Sequence, residues 1–260
     1  MVRVGLVQLA IDDSEAIDDR VERTLAMTAK TAADADVVLL PELWLTGAFN
    51  VELGIAHAQP LDGPLVAALS EVARRSHTWV HGGSFVESAG KGAYYNTSVV
   101  FGPDGSLAGT YRKIHLFGFD AYEAVLLTAG TDVVVIDTPL GVTALATCYD
   151  LRFPELFRAF VDGGATAVLL ASGWPTARIA RWTVLAQARA MEDQLWLVGC
   201  NETGFHASTQ LGGRSIVTDP WGEIVAEAGP DEQVLTVDID PGRPADVRAA
   251  FPVLRDRRLR

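Results

Sequence analysis

The chain has only two cysteines, Cys148 and Cys200, among 260 residues. That is too few for a disulfide scaffold, and free thiols fit a reduced cytosolic protein. No apolar run approaches the roughly 18 residues needed to cross a bilayer. The apolar start, Val2 to Leu9, gives way to Asp12 and Asp13. It lacks the longer apolar region and small-residue cleavage site of a secretory signal, so a cytoplasmic protein is expected. Basic charge is also scarce: 21 Lys+Arg stand against 33 Asp+Glu, a net charge of −12. Nucleic acid and anionic membranes are therefore poor partners. Phosphate-binding G-x-x-x-x-G-K-[ST], G-x-G-x-x-G at a strand end, H-E-x-x-H and G-x-S-x-G are all missing. His77 and His81 are four apart, but Trp79 and Val80 between them read as strand, so no zinc pair is expected. Core material, by contrast, is plentiful. With 49% hydrophobic and 21% charged residues, the chain can bury a core and is not disordered.

Short β-branched runs alternate with helical stretches, the signature of α/β architecture. Residues 2–9 read as a strand. Residues 14–33 read as a helix with Ile17, Val21 and Leu25 on one face. Val37-Val38-Leu39-Leu40 suits a strand buried on both faces. A helix is expected at 63–77, a strand at 79–85, and a hairpin at 96–112 turning at Pro103-Asp104-Gly105. The second half repeats the plan. Val38-Leu39-Leu40 and Trp44 recur as Val168-Leu169-Leu170 and Trp174. Ser98, Val100, Pro103 and Gly105 recur as Ser215, Val217, Pro220 and Gly222, and helices at 154–162 and 177–193 follow the same order. Two half-domains, each a sheet with helices on one face, must cover their bare sheet faces. Packing these together predicts a four-layer α-β-β-α sandwich. The domain is expected over residues 1–240, with an extended tail at 241–260 available for subunit contacts.

Three residues stand where chemistry could occur. Cys148 follows the strand 142–147 and precedes Tyr149-Asp150-Leu151-Arg152-Phe153-Pro154-Glu155, where Pro154 suits the first turn of a helix. Open α/β sheets place reactive groups at such strand ends, and a nearby helix N-terminus favours thiolate. A free thiol with a pKa near ~8.5 is mostly protonated at neutral pH, so a nucleophile there needs a base or a cation. Glu42 lies just past a buried strand, flanked by Pro41, Leu43 and Trp44, which suits a poorly solvated general base. Lys113 closes the hairpin, and the apolar residues after it direct its ammonium inward. Cys200 ends another strand without such neighbours and reads as core.

Taken in order, these segments resemble the nitrilase (carbon–nitrogen hydrolase) superfamily over about residues 2–239. The resemblance implies a Glu–Lys–Cys triad on Glu42, Lys113 and Cys148, a thioester intermediate, no cofactor, and homodimers or larger assemblies. It also implies a second glutamate, here Glu123, seven residues before Gly130 and charged with holding substrate nitrogen or Lys113. Arg112-Lys113-Ile114-His115-Leu116-Phe117 and the segment from Cys148 to Glu155 look like the branch of ω-amidases and deaminated glutathione amidases. The same holds for Gly173-Trp174-Pro175. A small carboxylate-bearing amide is the implied substrate, with Tyr149, Arg152 and Trp174 in contact and Arg178 and Arg181 nearby. Nitriles, other aliphatic amides, or a catalytically silent metabolite-binding role are the alternatives. After Phe117 the family often has an acidic residue, whereas this chain has Gly118-Phe119; the loop 118–129, which lines the pocket in relatives, therefore bears on substrate choice.

Overall fold

The alternation of short apolar runs with amphipathic helices produces two six-stranded sheets. The structure is a computed structural model describing residues 1–119 and 121–259, so Asp120 of the loop and Arg260 of the tail lie outside the described residues. The first half runs β1 (Val2–Gln8), β2 (Ala10–Asp12), α1 (Ile17–Ala32), β3 (Val37–Leu39), α2 (Val51–Ala56), α3 (Pro64–Ser76), β4 (Trp79–Ser88), β5 (Tyr94–Phe101) and β6 (Leu107–Arg112). A short α4 (Glu123–Leu126) leads to β7 (Val135–Thr138), β8 (Gly141–Thr147), α5 (Pro154–Asp162), β9 (Ala167–Ser172), α6 (Ile179–Asp193) and β10 (Trp196–Asn201). The chain ends with β11 (Thr203–His206), β12 (Thr209–Gly212), β13 (Ile216–Thr218), β14 (Ile224–Glu227), β15 (Gln233–Ile239) and α7 (Arg243–Ala250).

The sheet orders are β15-β1-β3-β4-β5-β6 and β14-β13-β10-β9-β8-β7. In each, three parallel strands (β1, β3, β4 and β8, β9, β10) continue into an antiparallel hairpin. The repeated Val-Leu-Leu words fall on β3 and β9, the middle strands of the two parallel sets. A small third sheet, β12-β11-β2, flanks them. The hairpin between β5 and β6 turns as its sequence predicts. Gly105 adopts φ +82, and the Asp104 side chain accepts from the Ser106 N–H at 2.9 Å.

Three apolar layers follow from the period of two along each strand. Between the sheets, Leu6, Leu39 and Tyr111 meet Leu145, Leu169 and Val198. On the outer face of the first sheet, Leu65, Leu69 and Ala73 of α3 pack on Val38, Leu40 and Val80. On the second, Phe157 and Phe160 of α5 and Trp182 of α6 cover Ala146 and Leu170. Burying a side chain such as Phe157 contributes about 1.5–3 kcal/mol. The sandwich expected from the repeat is the one found, and Cys200 lies in its inter-sheet layer.

The tail is not extended, contrary to expectation. Residues Arg243–Ala250 form α7, with Pro244 and Val247 buried. Pro-Gly-Arg-Pro reads as a breaker in sequence, but a proline in the first helical turn lacks only an N–H that the helix does not use. Arg248 then pins the helix, donating to the carbonyls of Ala165 at 2.8 Å and Gln194 at 3.2 Å. Among the described residues no helix is long and apolar enough to cross a membrane.

Candidate active site

Strands β3, β8 and β9 deliver their following residues to one end of the sandwich. Glu42 follows β3, Cys148 follows β8, and Ser172 ends β9, with the Glu42 N–H directed at the Ser172 carbonyl at 3.4 Å. Cys148 opens a short 3-10 turn, Cys148–Arg152, at φ +46. A non-glycine residue there is strained, and its neighbours must hold it. Asp150 does much of this. Its carboxylate accepts from the Thr147 N–H at 2.9 Å, closing a capping box over the turn. It also accepts from the Tyr111 hydroxyl at 2.7 Å and the His115 N–H at 3.1 Å. One buried carboxylate thus ties the turn bearing Cys148 to the segment bearing Lys113.

Lys113 is buried between two carboxylates. Its Nζ donates to Glu42 Oε1 at 2.7 Å and to Glu123 Oε2 at 2.5 Å. Asn96 reaches the same pair, its Nδ2 donating to Glu42 at 2.9 Å and Glu123 at 2.6 Å. The Asn96 carbonyl accepts from the Lys113 N–H at 2.9 Å. Backbone N–H groups complete the shell: Gly173 to Glu42 Oε2 and Phe117 to Glu123 Oε2, both at 3.0 Å. Burial works against the Lys113 charge, yet Glu123 and Glu42 outweigh it and hold its pKa well above the usual lysine value. Burial raises Glu123, and Glu42 adds to that, while Lys113 opposes.

The Cys148 thiol is pushed well up, first by burial and then by the negative charge of Glu42, with Lys113 pulling the other way. A helix N-terminus alone would favour thiolate; here burial and the neighbouring carboxylate overrule it. The thiol therefore rests protonated, and attack requires a base within reach. Cys200, by contrast, is held up by burial in the core and directs its Sγ at the Val7 carbonyl at 3.4 Å.

All seven residues singled out from sequence, Glu42, Lys113, Glu123, Cys148, Tyr149, Arg152 and Trp174, line one cleft of about 360 Å³, its open mouth included. Phe49, Phe117, Gly173 and Arg178 are also in the wall. The Arg152 guanidinium lies 4.8 Å over the Trp174 ring, and that of Arg178 lies 5.2 Å over Phe117. Among the described residues neither has a carboxylate partner. Arg181 does not join them. It is exposed beside the buried Trp182, so the helical period turns it away from the cleft. The loop after Phe117 contributes Glu123 to the wall, whereas Phe119 is 80% exposed outside it. Among the described residues no group of three or more His, Cys, Asp or Glu could hold a metal ion.

Sequence reasoning missed Asn96, Asp150, Phe49 and the N–H groups of Gly173 and Phe117. Their only trace was a polar run, Asn96-Thr97-Ser98, inside a strand, and a glycine next to Trp174.

A family model described as carbon-nitrogen hydrolase matches residues 3–249, taking in α7 as well as the two sheets. A 2-oxoglutaramate amidase of Paenarthrobacter nicotinovorans is 40% identical over 262 residues, covering 98% of this chain and 89% of that protein. The omega-amidase NIT2 of Mus musculus is 34% identical over 270 residues, covering 98% and 95%. The crystal structure of Saccharomyces cerevisiae Nit3, a member of branch 10 of the nitrilase superfamily, superposes with a TM-score of 0.89 at 31% identity, covering 99% and 97%. The matches run over nearly the whole chain, and the chain belongs to the carbon–nitrogen hydrolase family, within the nitrilase superfamily, as an amidohydrolase.

Proposed function

We propose that Cys148 is the nucleophile, Glu42 the general base, and Lys113 with the Tyr149 N–H the donors to the oxyanion. The observation that carries this reading is the meeting of the Cys148 thiol, the Glu42 carboxylate and the Lys113 ammonium in one cluster open to a cleft. Glu42 takes the thiol proton as sulfur bonds to the amide carbon, and the carbonyl oxygen becomes the oxyanion. Lys113, held by two carboxylates, cannot swing away and is preorganised for that charge. As the C–N bond breaks, the proton on Glu42 passes to the leaving nitrogen. Water, deprotonated by Glu42, then attacks the thioester; the C–S bond breaks to release the acid, and the proton on Glu42 returns to the Cys148 sulfur. Glu123, pinned by Asn96 and the Phe117 N–H, orients Lys113 throughout.

The substrate in this reading is a small amide bearing a carboxylate, of the 2-oxoglutaramate or deaminated-glutathione type. Arg152 and Arg178 support it, because two guanidinium groups without carboxylate partners among the described residues, in a chain of net charge −12, offer a local anion site. The names of the relatives, 2-oxoglutaramate amidase and omega-amidase, agree. Hydrogen bonds to a charged group are worth about 1.5–3 kcal/mol, so Arg152→Lys should lower kcat/KM for carboxylate-bearing amides about 10–100-fold. Neutral amides such as hexanamide should be nearly unaffected. Ammonia release measured across 2-oxoglutaramate, deaminated glutathione and hexanamide checks this, and a preference for hexanamide would refute the anion site. Turnover of nitriles faster than matched amides would instead favour a nitrilase.

The reading extends to a cytoplasmic homodimer. Both cysteines are free, which fits a reducing compartment. Phe251, 55% exposed, stacks on the half-exposed Trp221, and Ile224 and Val225 are also exposed, an apolar surface suited to a second copy. Sedimentation at micromolar concentration is expected to give a dimer or larger species, and a monomer alone would overturn this part.

A further inference from the structure

One buried acid lies beside the site and has no part in the steps above. Glu202 follows β10, as Gly173 follows β9, and the two strands run parallel with Asn201 opposite Ser172. The Glu202 backbone is fixed, its N–H donating to the Ser172 carbonyl at 3.0 Å and its carbonyl accepting from the Gly213 N–H at 2.8 Å. Its side chain is 0% exposed, and neither carboxyl oxygen has a hydrogen-bond partner among the described residues. The carboxyl fills the space behind Gly173: a Cβ there would fall 2.7 Å from Glu202 Oε2 and 2.3 Å from the Ala48 Cβ. Gly173 is also the residue whose N–H holds Glu42.

We propose that Glu202 is a positioning residue that stays protonated and, through Gly173, keeps Glu42 seated for proton transfer. The inference rests on the role assigned to Glu42 above. An ionised carboxylate buried without a hydrogen bond is strongly disfavoured, whereas the neutral acid tolerates the site. Burial, and then the charge of Glu42, push Glu202 well above the usual carboxylate range, against the nearby Ala48 N–H, which lies outside hydrogen-bonding geometry, and against Arg20. The guanidinium of Arg20 is committed elsewhere, to Glu15 and to the Leu45 and Asp12 carbonyls. Cys200, the remaining titratable neighbour, is itself held protonated by burial. If Glu202 ionised, its charge would repel Glu42 from its seat on the Gly173 N–H and hold the Cys148 proton more firmly. Both effects stop the first step, so activity falls as pH rises through the Glu202 pKa.

The test compares Glu202→Gln, a neutral group of the same shape, with Glu202→Ala. Glu202→Gln should keep kcat/KM within about threefold at neutral pH, with the alkaline limb of its profile moved to higher pH. Glu202→Ala should lose about tenfold or more in kcat with KM little changed, because Glu42 loses its seat. The wild-type minus Glu202→Gln infrared difference should show a protonated carboxyl band at neutral pH. A pH profile of Glu202→Gln that superimposes on wild type, a carboxylate band alone, or loss of fold in this isosteric variant would overturn the proposal. Glu42→Gln and Cys148→Ala run alongside. If those two stay active, the catalytic reading fails; if they are inactive and Glu202→Gln behaves as wild type, only the Glu202 role fails.

Discussion

Cys148→Ala is expected to lower amide hydrolysis roughly 10⁴-fold or more while the fold survives. Alanine leaves no atom that can form the thioester, and neither Glu42 nor Lys113 can replace it. The side chain is only partly buried, so removing its sulfur opens little cavity. Cys200→Ala is the matched control. That thiol belongs to the inter-sheet core and is not part of the cleft wall, so its loss should leave the rate nearly unchanged. Ammonia release on both variants, with circular dichroism to check the fold, decides the matter. Wild-type rates from Cys148→Ala, or loss of activity from Cys200→Ala alone, would exchange the roles of the two cysteines. Glu42→Gln offers a further view, since mass spectrometry after quenching with substrate should find the acyl group on Cys148.

Lys113→Met should show two large effects at once. Losing one oxyanion donor lowers kcat by about 10²–10³-fold. Removing the cation also leaves Glu42 and Glu123 buried against each other, and breaking such a pair costs about 3–5 kcal/mol. In a domain of this size that is a Tm loss of about 10 °C. The pH dependence carries a definite sign. Protonation removes a carboxylate charge that has no cationic partner in the variant, so the Tm gap to wild type should narrow as pH falls. In wild type the Lys113 ammonium is already satisfied, and acid brings no such gain. A variant with normal Tm but low kcat would mean that the cluster relaxes around the lost charge. Normal kcat would remove Lys113 from the oxyanion site.

The repeat, the strand–turn–helix placement of Cys148 and the positions of Glu42 and Lys113 were all legible because they rest on local rules. A period of two or 3.6 needs only neighbouring residues, and a reactive group after a parallel strand is a short-range pattern. The tail shows where such rules stop. Its prolines and glycine mark a break, but whether a helix forms there depends on the Ala165 and Gln194 carbonyls that receive Arg248. Arg181 shows the same limit, since Arg178 lines the cleft while Arg181, a few residues on, is exposed outside it.

By itself, then, the sequence determined the α/β class, the duplication and the three residues proposed to carry the chemistry. Tertiary structure decided their state. Asn96 bridging two glutamates, Asp150 linking the Cys148 turn to the Lys113 segment, and Glu202 behind Gly173 join positions far apart in the chain. Whether a thiol keeps its proton, or a carboxyl becomes charged, depends on which groups surround it and how completely water is excluded. Those quantities belong to the packed sandwich and exist in no local stretch of sequence.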